Sequence, residues 1–176
     1  MTSALLVIDL QNGVLEGCLD AEAVVSRAVA VIAGARAAGV PVIWIRHQDE
    51  DLVPGTEGYE LAPGLLPEPG ERRVTKYYRD AFEATALTAH LQENGAQRLV
   101  VCGAQSDFCI RTSTQRAAAE GYDVTLLADA HTTKDAEHDG VFIPAAQIVA
   151  HTNLYFSGLR YPGRTLDCVA HDALAW

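Results

Sequence analysis

Basic residues are scarce in this 176-residue chain: 13 lysines and arginines stand against 23 aspartates and glutamates, a net charge of −10. That balance argues against nucleic acid or an anionic membrane as a partner, because both are held by basic patches. It says little about a small substrate, since one nearby lysine outweighs a distant field. No apolar run approaches the roughly 20 residues that span a bilayer. The start, Met1 to Asp9, lacks a basic segment and enters a strand-like run at once, which predicts no signal peptide and a cytoplasmic location. The four cysteines, Cys18, Cys102, Cys109 and Cys168, are scattered without C-x-x-C pairs, so neither a disulfide framework nor a zinc ribbon is indicated. Internal repeats, low-complexity tracts and linkers are also missing. One domain over residues 1–176 is expected.

What is present is an alternation of two segment types. Ala4–Asp9 is an apolar strand, and Ala21–Ala38 has helical periodicity and stops at Gly39. Val40–Arg46 is a second strand. Residues 47–71 hold most of the prolines and read as a long irregular excursion, a candidate active-site or interface loop. Arg72–Lys76 is a short strand, followed by helix from Thr85 to Asn94. Leu99–Gly103 is a buried strand, the Ala-rich stretch after Cys109 is a helix ending at Gly121, and Asp123–Asp129 is another strand. A helix over Pro144–Tyr155 and a last strand within Arg164–Ala170 complete the chain. Such alternation predicts right-handed crossovers and an α/β fold: three layers, α/β/α, with a mostly parallel, Rossmann-like central sheet.

In open parallel sheets ligands bind beyond the carboxyl ends of the strands, where strand order reverses. Asp9 follows the first strand, Lys76 ends the short third one, and Cys109 follows the loop after the fourth. Alone, each has a plain structural role: a loop cap, a solvated lysine, a small buried thiol. Together they make chemical sense. The helix start at Cys109 favours a thiolate, Asp9 can take its proton, and Lys76 can stabilise charge on either partner. Backbone N–H groups between Ala104 and Cys109 can face an oxyanion. That combination suits acyl transfer.

The segments "LLVIDLQNG", "PVIWIRHQ", "VTKYYRDAFEATAL", "VVCGAQSDFCIRTSTQRAAAEGYDVTLLADAH" and "IVAHTNLYF" resemble, in order, the isochorismatase-like cysteine hydrolases, which include nicotinamidases and N-carbamoylsarcosine amidohydrolase. The resemblance implies the isochorismatase-like hydrolase fold and a catalytic triad of Asp9, Lys76 and Cys109. It implies a non-proline cis peptide at Ala104–Gln105 and an oxyanion hole from the N–H groups of Gln105 and Cys109. Gln11 is implied to line the pocket, and Trp44, Tyr77 and Phe82 are candidate substrate-binding aromatics. The implied reaction is hydrolysis of an amide-type C–N bond of a small molecule through a thioester.

Two departures narrow this expectation. Isochorismatases proper cleave a vinyl ether without a thiol nucleophile and commonly have glycine where this chain has Cys109, so the amidase branch is favoured. Nicotinamidases carry an Asp–His–His metal pattern after the second strand, of which only His47 and Asp49 are present here. No metal and no other cofactor are therefore expected. The resemblance implies a homodimer or larger homo-oligomer. Two other readings stay open: an ether hydrolase of the isochorismatase type, and a non-catalytic or redox-sensing thiol protein of the same fold.

Overall fold

The first strand sets the architecture, because every one of its side chains is buried. In a computed structural model describing residues 1–176, β1 (Ser3–Ile8) has no face open to solvent. Ala4, Leu6 and Ile8 point into one apolar cluster, and Leu5 and Val7 into another. A strand buried on both faces needs a covering layer on each side. Helix α2 (Ala21–Ala37) covers one face with Val24, Val25, Ala28, Val31, Ile32 and Ala35. On the other face lie α3 (Leu87–Glu93), α4 (Arg111–Glu120) and α5 (Ala145–Gly158), which contribute Leu87, Leu91, Ala117, Ala118 and Phe156. Full burial of each large aliphatic side chain contributes roughly 1.5–3 kcal/mol, so the two clusters dominate the stability of the sheet.

The remaining strands are β2 (Val42–His47), β3 (Arg72–Lys76), β4 (Arg98–Ala104), β5 (Asp123–Thr132) and β8 (Leu166–Val169). Their spatial order is β3-β2-β1-β4-β5-β8, and every pair is parallel. This is the three-layer parallel sheet that the alternation predicts. Strand order reverses between β1 and β4. The crevice at that switch point opens at the carboxyl ends of both strands, where Asp9 and the Cys109 loop lie.

Three features were not expected. A short helix α1 (Asn12–Leu15) follows β1, and an antiparallel hairpin, β6 (Ala136–His138) with β7 (Val141–Ile143), projects before α5. Strand β5 runs on to Thr132, three residues past the expected end, because its register against β4 shifts between Val101 and Gly103. The 47–71 excursion is more tightly built than an open loop. Leu52, Tyr59, Ala62 and Leu65 are buried, and Arg36 on α2 holds Glu71 at 2.8 Å. It contains one 3₁₀ turn, Glu57–Tyr59. Most of it covers the α2 side of the sheet, and only its first residues approach the crevice. No helix of the chain is long and apolar enough to cross a membrane.

Candidate active site

Four strand ends present one side chain each along the crevice: Lys76 from β3, His47 from β2, Asp9 from β1 and Cys109 from the turn after β4. The amide of Asp9 still donates to the carbonyl of Ile45 at 2.9 Å, and its backbone then turns left-handed (φ 50°), a conformation aspartate tolerates better than most residues. The turn breaks the strand and leaves the carboxylate buried, 1% exposed. Lys76 pairs with His47 at the end of β3 and is fully buried, so its stem runs across the β2 terminus towards β1.

Lys76 is the hub. Its Nζ lies 2.7 Å from Asp9 Oδ2, 3.2 Å from Cys109 Sγ, 3.1 Å from His47 Nδ1 and 3.2 Å from the carbonyl of Tyr78. An ammonium has three N–H groups for these four neighbours, so they must share them. The Lys76–Asp9 contact is a fully buried ion pair. Burial raises the Asp9 carboxyl above its ordinary value, opposed by the charge of Lys76. Burial, then Lys76, holds His47 below its ordinary value. Neutral His47 accepts from Lys76 at Nδ1 and donates from Nε2 to Asp49 Oδ2 at 3.2 Å. Asp49 is further occupied by the amides of Asp51 and Leu52 on Oδ1.

Cys109 lies in a π-helical turn, Ser106–Ile110, that leads into α4. The expectation that a helix start favours the thiolate needs correction. Burial and the adjacent Asp9 carboxylate push the thiol up to about 12, against the pull of Lys76. Both influences favour the protonated sulfur. The raised Asp9 carboxyl is a stronger base than a surface aspartate, which narrows the gap that proton transfer must cross.

A buried polar chain anchors the start of this turn. Ser106 Oγ and His131 Nδ1 are 2.7 Å apart, and His131 Nε2 is 2.8 Å from Asn153 Oδ1. Asn153 in turn donates to the carbonyl of Ala128 at 2.9 Å. Since Asn153 Oδ1 can only accept, His131 carries its proton on Nε2 and Ser106 donates to Nδ1. Burial keeps His131 below its ordinary value, which agrees with a neutral ring. Just before the turn, the Ala104–Gln105 peptide is cis, as the resemblance implied.

A cleft of about 300 Å³ opens onto Asp9 and Cys109, bordered also by Val14, His47, Gln105 and Phe108. Asp49 and Arg79 complete its rim. Larger concavities of about 520 and 530 Å³ lie around Arg111 and are not lined by Cys109. No group of three or more histidine, cysteine or acidic side chains is arranged to hold a metal ion.

The candidate binding residues are placed differently from expectation. Gln11 is wholly buried: its amide donates to the carbonyls of His47 and Tyr59 and accepts from the amide of His47. It shapes the cleft from behind by tying β2 to the 3₁₀ turn. Trp44 packs against α2 on the other face of the sheet, its indole donating to Glu71 at 2.7 Å. Phe82 is core, beside Tyr122 at 6.3 Å. Tyr77 is 58% exposed and borders no part of the cleft. Proximity to the triad in sequence was a poor guide, since adjacent residues on a strand point to opposite faces. His47, Arg79 and Phe108 were missed as cleft residues. His47 was legible by the same rule that selected Lys76, as the last residue of a parallel strand.

Comparison with known proteins identifies the family and the fold. Residues 3–152 match the family model described as the Isochorismatase domain. The chain is 35% identical over 155 residues to streptothricin hydrolase of Streptomyces noursei, covering 85% of this chain but only 59% of that protein. The crystal structure of an isochorismatase from Pseudomonas putida superposes with a TM-score of 0.88 at 29% identity, covering 98% of this chain and 90% of the other. That of N-carbamoylsarcosine amidase from Thermoplasma acidophilum gives 0.79 at 25% identity, with 100% of each chain covered. With a matching domain over most of its length and the same sheet beneath its crevice, the chain belongs to the isochorismatase family of hydrolases.

Proposed function

We propose that this protein is a cysteine amidohydrolase that cleaves an amide-type C–N bond of a small molecule through a thioester on Cys109. The observation that carries this reading is the buried Lys76 Nζ, within 2.7 Å of Asp9 and 3.2 Å of Cys109, both of which line a small cleft. A lysine so placed stabilises negative charge whether it sits on the carboxylate or on the sulfur. Relatives named streptothricin hydrolase and N-carbamoylsarcosine amidase support the bond class.

The chemistry follows from the placement. As Sγ of Cys109 attacks the carbonyl carbon, its proton passes to Asp9, and Lys76 balances the charge left on the sulfur. The oxygen of the tetrahedral intermediate meets the N–H groups of Gln105 and Cys109. The C–N bond then breaks as protonated Asp9 gives its proton to the departing nitrogen. Asp9 next takes a proton from water, whose oxygen attacks the thioester carbon. Collapse releases the acid and returns the proton to sulfur. No step draws on a metal. The test is a screen of small amides, ureides and lactams for released amine or ammonia, with Cys109→Ala as control. Activity confined to the wild type supports the reading; vinyl-ether cleavage that survives in Cys109→Ala contradicts it.

A further inference from the structure

Of the charged side chains bordering the cleft, Arg79 alone has no partner. Asp9 is paired with Lys76, and the oxygens of Asp49 are taken by His47 and two backbone amides. The acid next to Arg79 in sequence, Asp80, is held by Arg116 at 3.2 Å. The only hydrogen bond at Arg79 is accepted by its backbone carbonyl, from Ser113. Its guanidinium lies over the Phe108 ring, with Cζ 4.0 Å from the ring centroid. Phe108 immediately precedes the nucleophile in the same π-helical turn.

This contact has a chemical consequence. The ring holds the guanidinium in place through a cation–π contact, while its N–H groups make no hydrogen bond or ion pair within the chain. A planar fork of that kind matches a carboxylate through two parallel hydrogen bonds. In a chain of net charge −10, a cation left without a carboxylate beside the reacting thiol is a place for an incoming anion.

We propose that Arg79 determines specificity by binding a carboxylate on the substrate, so that the preferred substrates are small amides or ureides carrying a carboxylate close to the scissile carbonyl. The proposal rests on the amidohydrolase reading for its scissile bond, but the anion site is a separate property of the cleft. Arg79 holds the acidic end over Phe108 while the carbonyl is presented to Cys109. A neutral amide of equal size loses that anchor.

Two probes of equal size test this without a known substrate. Cys109 is alkylated with iodoacetate and with iodoacetamide, and the rates are read by peptide mass mapping in wild type, Arg79→Gln and Arg79→Lys. The iodoacetate-to-iodoacetamide rate ratio is expected to fall about tenfold in Arg79→Gln, to recover in part in Arg79→Lys, and in the wild type to decline with added salt. The iodoacetamide rate, which reports the thiol itself, is expected to stay within about twofold. In parallel, Cys109→Ala is titrated calorimetrically with sodium succinamate and with succinamide. Tighter binding of succinamate, abolished by Arg79→Gln, supports the proposal. An unchanged alkylation ratio, or no preference for succinamate, overturns it, even if amidase activity is found. Failure of the amidase reading shows differently, as absence of acylation at Cys109, and leaves the calorimetric result intact.

Discussion

Gly103 and Ile8 face each other across the β1–β4 pair so closely that a Cβ on Gly103 would fall inside the Ile8 backbone. Gly103 also has φ of 137°, a region that side chains disfavour. The close approach lies one residue before Asp9 on one strand and one residue before Ala104 on the other. It therefore sets the distance between Asp9 and the turn that carries Cys109.

Gly103→Ala should accordingly be among the most damaging single substitutions in the chain. The added methyl can be accommodated only by parting β1 from β4, at a cost of roughly 3 kcal/mol or more. Urea unfolding measures this. A loss below about 1 kcal/mol would mean that the strands part easily and that the spacing is not fixed here.

The ionic pair predicts a signed pH dependence. Burial raises the Asp9 carboxyl above its ordinary value of 3.8, so the folded state binds that proton more tightly than the unfolded chain. The stability from this group is full below the unfolded value and is lost as pH rises through the folded one. For activity, the acidic limb of kcat/KM should lie above the range of a surface aspartate, because protonated Asp9 cannot accept the thiol proton. Lys76→Ala removes the charge that opposes the rise, so the limb should move further up. Asp9→Asn should abolish turnover, because an amide cannot accept the thiol proton. An unmoved acidic limb in Lys76→Ala counts against the triad.

The Ser106–His131–Asn153 chain makes a separate prediction. Ser106→Ala leaves the buried His131 Nδ1 without a donor, which costs about 1–3 kcal/mol. His131→Phe leaves Ser106 Oγ without its partner and removes the ring donor from Asn153 Oδ1, so it should cost more. Thermal unfolding of the two variants tests the order. Equal stability of His131→Phe and wild type would show that the chain does not hold the turn.

These placements show what was readable in advance and what was not. Asp9, Lys76 and Cys109 were legible because each stands at or just beyond the end of a parallel strand, and strand ends on one side of such a sheet converge. The buried strands were legible because they are short, continuous and bounded by glycine or proline. The Ser106–His131 contact was not, since it depends on the register shift between β4 and β5 that carries β5 on to His131. The π-helical turn was hidden as well: nothing in the composition of Ser106–Ile110 separates it from the α-helix that follows. Trp44 and Phe82 misled because an aromatic near a catalytic residue in sequence fits a core as readily as a pocket, and only the strand's facing decides.

A chelator gives a simple control on the absence of a metal step. His47 already accepts from Lys76 and donates to Asp49, so neither ring nitrogen is free for a cation. Turnover should be unchanged after incubation with EDTA. Loss of activity restored by zinc would overturn the metal-free mechanism.

The most direct test of the central claim is the turnover of Cys109→Ala on any amide the wild type hydrolyses, measured beside a circular-dichroism check that the variant is folded. The thiol is the only nucleophile in the proposed scheme, so turnover should fall by about 10³-fold or more. A folded variant that keeps more than about a few per cent of wild-type turnover would contradict the account, because a residue other than Cys109 would then be attacking the carbonyl.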